Sequence, residues 1–221
     1  MGFFDYSWSI RDRILEDFKT TLYMLFFSAI FAGLFGLILG IIMVVTDRGR
    51  ILENKVIYSI LDKLTNIFRS IPFVILLALV APFTRFIVDT RIGPKAAIVP
   101  LVVSCVPFFA RQVEQALAEV DPGVIEAAEA MGKSPFEIIT SVYLREGLPN
   151  LIRAGSITLI SLLGLTAMAG LIGGGGIGDL AISVGYNRYK DDVVLVSVVL
   201  ILLVVFIIQA VANYLIRKTK H

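Results

Sequence analysis

The sequence predicts an all-α integral membrane protein with about five transmembrane helices, and three observations carry that prediction. Apolar residues fill 57% of the 221 positions and charged residues only 17%, whereas soluble domains sit near half and a quarter. Mean hydropathy is +0.86. The apolar residues are also gathered into long runs, and runs beyond about 18 residues mark membrane spans. The net charge of +2 offers no polyelectrolyte attraction to nucleic acid.

Residues 1–19 mix Phe3, Phe4, Tyr6 and Trp8 with charged positions. That composition suits either a helix lying in the membrane interface or an unstructured tail on the extracytoplasmic side. Asp5, Asp12, Glu16 and Asp17 precede the first run, so a cleavable signal peptide is not expected. The run at 20–46 carries Ala32, Gly36 and Gly40 at four-residue spacing, a small-residue ladder that lets another helix approach closely. Runs at 64–88 and 96–115 contain Pro72 and Pro82, then Pro100 and Pro107. Such prolines free backbone carbonyls that neighbours or water must satisfy. A charged loop at 119–149 follows, then runs at 150–178 and 192–216, the last nearly featureless and expected to face lipid. Residues 217–221 form a short tail.

Basic residues choose the sidedness. Arg48, Arg50, Lys55, Lys63, Arg111, Lys133, Arg145, Arg153, Arg217, Lys218 and Lys220 fall on one side. Arg11, Arg13, Lys19, Arg85, Arg91, Lys95, Arg188 and Lys190 fall on the other. Eleven against eight places the N-terminus outside, and the 119–149 loop and C-terminus in the cytoplasm.

No acid lies in the interior of a predicted span, which argues against an ion-coupled transporter, although backbone carbonyls could bind sodium. No charged ring marks a channel. Cys105 and His221 are the only cysteine and histidine, so an intrachain disulfide, a Cys/His metal site and histidine-based hydrolysis are not expected. "AAEAMGKS", Ala127 to Ser134, fits a permissive P-loop pattern, but its residues are helix formers where a phosphate cradle needs a glycine-rich turn after a strand. "GGGGIG", Gly173 to Gly178, follows a span and lacks the βαβ context of a dinucleotide site. It reads as a flexible helix exit. Uphill transport by this chain therefore needs an outside energy source.

The loop is punctuated residue by residue. Asp121 is an N-cap with Pro122 at the first helical position. Val124 to Met131 then favour helix through alanine and glutamate, and Gly132 ends it at the left-handed C′ position. Ser134, Pro135 and Glu137 form a second N-terminus with a capping box. Phe136, Ile139 and Tyr143 make an apolar stripe, and Gly147 and Pro149 close the second helix. A capped connector is one reading. A DNA-reading helix-turn-helix is another, but Glu126, Glu129, Glu137 and Glu146 would repel phosphate. A third is insertion of the acidic first helix, with its small Ala127–Ala128 surface, into a groove on a protein partner.

At these residues the chain resembles a known family. "EAAEAMG", then nine residues, then "VYL" resembles the EAA loop of membrane permeases in binding-protein-dependent ATP-binding-cassette importers. The resemblance implies a type I importer permease fold and a coupling helix held by a cytoplasmic ATPase through Glu126, Ala127, Ala128, Met131 and Gly132. The family commonly has proline after the leucine, whereas Arg145 follows Leu144 here. "SLLGLTAMAGLIGGGGIGDLAISVGYNRY" resembles the methionine-uptake permeases. Permeases for other amino acids, betaines or phosphonates are the alternative, and an ATPase-independent channel a further one.

The resemblance implies a homodimer in a bacterial cell membrane, two ATPase copies and an extracytoplasmic solute-binding protein. ATP and Mg would be bound by the ATPase, with no catalysis and no cofactor on this chain. Five helices are few to enclose a solute path, which also favours a symmetric pair. Thr158, Ser161, Gly164 and Met168 fall largely on one face of the fourth span. They line the path, or they pack helices together. Met168 is singled out as a gate because a flexible thioether can close a hole and yield again.

Overall fold

The structure is a computed structural model that describes residues 3–219. Two residues of the 1–19 segment, Lys220 of the tail and His221 lie outside the described residues. Among the described residues eleven α-helices follow one another and no strand occurs. Among the described residues four helical segments are long and apolar enough to cross a membrane: Arg11–Thr46, Pro94–Ala118, Leu148–Gly174 and Asp191–Thr219. A fifth arises if Lys55–Ser70 and Phe73–Val88, separated by a break, count as one span. The chain divides into two compact units by its internal contacts.

The first unit is Met1–Phe31, Ile71–Ser104 and Leu159–Gln209. It opens with α1 (Asp5–Ser9), and Arg11 then starts α2, which runs to Thr46. Residues 5–19 are thus helix on both sides of Ile10. The short α1 is anchored: buried Asp192 accepts hydrogen bonds from the Ser7 N–H and hydroxyl, both at 2.7 Å. Ile14, Ile177, Leu180, Val184 and Val193 form the core below it. Helix α4 (Phe73–Val88) contains Pro82 and ends at Asp89, whose positive φ gives a left-handed cap. Much of the outer face of α11 (Asp191–Thr219) is exposed, including Val198, Val199, Leu202, Leu203 and Phe206.

The glycine run is a packed turn, and the sequence expectation of a flexible exit is corrected. After α9 (Leu148–Ala169) the chain kinks within Gly170–Gly174, where Ile172 and Gly173 leave helical geometry and Gly173 takes φ +91°, and it leads into the three-residue α10 (Ile177–Asp179). A Cβ on Gly170 would stand 2.7 Å from the Gly175 carbonyl, and one on Gly178 would collide with the Ala167 backbone. Its free backbone donors are taken up as well. Gly176 N–H donates to Asp17 Oδ1 at 3.3 Å and Ile177 N–H to Thr21 Oγ1 at 2.8 Å. Irregular backbone at membrane depth is tolerated when protein satisfies it in this way.

The second unit is Ala32–Ser70, Cys105–Thr158 and Ala210–His221. Here the small-residue ladder does what its spacing predicts. Ala32 is buried, a Cβ on Gly36 would meet Phe109 at 2.9 Å, and one on Gly40 would meet the Ala110 carbonyl at 2.6 Å. Helix α5 (Pro94–Ala118) therefore lies against the backbone of α2. Their registers rise together, 36 with 106 and 109, then 40 with 110 and 113, so the two helices run parallel. Residues 64–70 of the second hydropathic run belong to α3 (Lys55–Ser70), and the helix breaks before Pro72.

Candidate functional site

The 119–149 loop folds as its punctuation predicts. Helix α6 spans Pro122–Ala130, with Asp121 Oδ1 accepting from Gly123 N–H at 2.8 Å. Gly132 has φ +76°, and a Cβ there would meet nothing within 4 Å, so its backbone alone calls for glycine. Gly132 N–H donates to the Glu129 carbonyl and Lys133 N–H to the Ala128 carbonyl, the paired bonds of a Schellman cap. Ser134 then opens α7 (Pro135–Ile138) with a complete capping box. Glu137 Oε2 accepts from the Ser134 N–H at 2.7 Å, and Glu137 N–H donates to Ser134 Oγ at 3.4 Å. The Ser134 hydroxyl, followed by its N–H, holds the exposed Glu137 carboxyl below its ordinary range.

The second helix runs through a π-helical turn, Ile139–Tyr143, and α8 (Leu144–Glu146) to its C-cap at Gly147, where the sequence expects it to stop, and α9 begins at Leu148 with Pro149 in its first turn. Gly147 is itself right-handed. Its glycine is required by close packing, since a Cβ would stand 2.6 Å from Leu117 Cδ2 and 2.7 Å from the Tyr143 carbonyl.

One side of this double helix is sealed into its own unit. Ile125, Ala128, Ile138, Val142 and Tyr143 share a core with Val44, Val45, Val113, Leu117 and Val120. Ala128 is 1% exposed, so it holds α6 down and offers no surface to a partner. Only Glu126, Ala127, Met131 and Gly132 of the predicted coupling residues are exposed. Burial raises the Tyr143 phenol, with Arg50 acting in the opposite direction. The frame is pinned by Arg50 Nη2 on the Ala118 carbonyl at 3.2 Å and Asn150 Nδ2 on Glu119 Oε2 at 2.6 Å.

The other residues are open to the outside and mix large apolar side chains with Glu126, Glu129 and Glu137. Met131 is 69% exposed and Phe136 74%, and Val124 is exposed as well. Large apolar side chains standing free on a capped element offer area that a partner can bury. The sequence reading placed Phe136 in an apolar stripe with Ile139 and Tyr143, and the structure leaves Phe136 exposed while Tyr143 is buried.

On α9 the predicted path residues separate. Thr158 is buried, and its hydroxyl donates to the Ala154 carbonyl of the same helix at 2.8 Å. Ser161, Gly164 and Met168 are exposed along one face, with Ile157 and Leu171 extending the row. A Cβ on Gly164 would meet nothing within 4 Å. Among the described residues no cluster of His, Cys, Asp or Glu could hold a metal ion.

Residues 32–221 match the family described as binding-protein-dependent transport system inner membrane component. The chain is 44% identical over 201 residues to a probable D-methionine transport system permease protein MetI of Pasteurella multocida, covering 91% of this chain and 93% of that one. It is 47% identical over 172 residues to the methionine import system permease protein MetP of Bacillus subtilis, 78% of each chain. Among solved structures, the inward-facing MetNI methionine ABC transporter superposes with a TM-score of 0.94 at 42% identity, covering 96% of this chain and 99% of that one.

Proposed function

We propose a gate without a motor, starting from the premise that this chain belongs to the binding-protein-dependent transport system inner membrane components. It is the permease subunit of a bacterial ATP-driven methionine importer, built as a pair of identical permease chains with ATP-binding-cassette subunits and a solute-binding protein. ATP is hydrolysed on the cassette subunits. The loop lies on the cytoplasmic side and the N-terminus outside, as the bias of basic residues supports.

The observation that carries the mechanism is the two-sidedness of the loop. Its inner face is fused to the ends of α2 and α5, while Met131, Phe136 and Val124 project outward. Such an element transmits force. Closure of the two cassettes draws the two loops together, and the capped helices pass the displacement to α5 and α9 on either side. Ser161, Gly164 and Met168 line the opening, with Met168 as the yielding constriction. Thr158 acts through packing. Net import requires that the states differ in affinity for methionine or its delivery protein.

The test is uptake of labelled methionine by the complex in proteoliposomes, with ATP inside and delivery protein outside, challenged by unlabelled competitors. Methionine suppresses the signal and betaine or a phosphonate does not. Suppression by betaine or a phosphonate in place of methionine overturns the substrate assignment.

A further inference from the structure

Helix α3 is inside out for a helix packed on protein in water. Val56, Ile60, Leu64 and Ile67, spaced by four, four and three residues, are all exposed. Its polar face is the one tied to the protein. Tyr58 Oη donates to Glu114 Oε1 at 3.0 Å, Arg111 pairs with Asp62, Asn66 accepts from Arg111 at 3.3 Å, and Thr65 is buried against Met43 Sδ. Glu114 is 7% exposed and also pairs with Arg111 Nη1 at 2.7 Å. Water favours the opposite arrangement, apolar stripe inward and charges outward.

The ties also set how α3 runs. Tyr58 and Thr65 are seven residues apart, about 10 Å along the helix. They fasten to Glu114 and Met43, each three or four residues from the end of its helix. Because α2 and α5 run parallel, those two anchors lie at one level. Helix α3 therefore crosses the ends of α2 and α5 and does not run beside them. Val44 and Val45, next to the Met43 anchor, share a core with Ile125 and Ala128, so that level is on the side of the coupling loop.

We propose that α3 is a membrane-surface helix, seated in the bilayer on the coupling-loop side, with acyl chains against Val56, Ile60, Leu64 and Ile67 and lipid phosphates against Lys63. An in-plane amphipathic helix at the level where spans end is what an interface binds. Lys63 flanks the stripe, is exposed, and has no acidic partner among the described residues, which suits a side chain reaching to headgroups. A second protein is the poorer occupant, because one half-exposed stripe falls short of the ~800 Å² per partner of a stable interface. Calling that leaflet cytoplasmic rests on the function proposed above.

The test places nitroxide labels at Ile60→Cys and Ile67→Cys, and at the half-buried Ser59→Cys, in a Cys105→Ser background of the whole complex in lipid nanodiscs. Oxygen collisions at 60 and 67 are expected to exceed those of a soluble nickel chelate several-fold, at the same depth at both sites. The chelate is expected to reach residue 59. Lys63→Glu is expected to shift both apolar-face labels toward water. Depths differing by the full separation of the labels overturn the proposal, because α3 then penetrates the bilayer. Free chelate access at 60 and 67, or spin broadening between protomers, overturns it as well. The depth pattern is read without transport, so a failed uptake assay and a failed lipid contact are distinguishable.

Discussion

Replacing Phe136 by alanine separates docking from folding. The ring is 74% exposed, so its loss removes little from this chain, and surface truncations usually stay within about 0.5 kcal/mol. Docked, the ring would bury roughly 150 Å², worth about 3 to 4 kcal/mol at 25 cal/mol per Å². Alanine keeps the Cβ, which leaves about 2 to 3 kcal/mol at stake. That corresponds to a roughly 30- to 150-fold loss of affinity for the ATPase subunit. Two measurements read it: thermal unfolding of the isolated permease and a binding titration with the ATPase in detergent. Unchanged unfolding with weakened assembly is the expected pair. Wild-type assembly, or an unfolding shift as large as the assembly loss, refutes the assignment of the open face as the docking surface.

Gly178→Ala forces a methyl into the Ala167 backbone and is expected to destabilise the chain by about 1 to 3 kcal/mol or more, read as lost thermal stability. Gly164→Ala has open space around it and should fold normally while slowing methionine uptake. Arg111→Met strands Glu114 and Asp62 and should cost about 3 to 5 kcal/mol, with Arg111→Met/Glu114→Gln recovering part of the loss in unfolding assays. The Glu137 carboxyl lies below its unfolded value, so its contribution is fully present above the unfolded pKa of about 4.3. It is lost only as pH falls through the lower folded value. Hydrogen exchange at the Ser134 amide should thus show undiminished protection at neutral pH and loss only in acid.

The loop was legible because its information is local. An N-cap, a proline beside it, a glycine at positive φ and a serine three residues before a glutamate each act within one turn, and Asp121, Gly132, Ser134 and Glu137 all adopt the expected geometry. The Gly36 and Gly40 ladder was legible for a similar reason, since its spacing selects one helix face. The packing around Gly147 and the 173–178 run was not legible, because close approach by Leu117 or by the Ala167 backbone leaves no mark in the neighbouring residues. Ala128 looked like partner surface beside Ala127, and only the direction of α6 sends one inward and the other out. Helix α3 was hidden by averaging. Leu64 and Ile67 of its apolar stripe merged into the hydropathic run that begins at 64, while the polar face that ties it to Arg111 and Glu114 is visible only once the end of α5 is in place. Glu114, near the end of a predicted span, turned out buried and paired.

The most direct measurement follows the two loops while the importer works. Spin labels at exposed Ala130 in each permease chain of the reconstituted complex report the separation of the paired α6 helices by pulsed dipolar spectroscopy. The account predicts a shorter distance when ATP is trapped on the cassette subunits than in the nucleotide-free complex, and loss of both that change and methionine uptake in Gly132→Val. An unchanged distance in a complex that still imports methionine contradicts it.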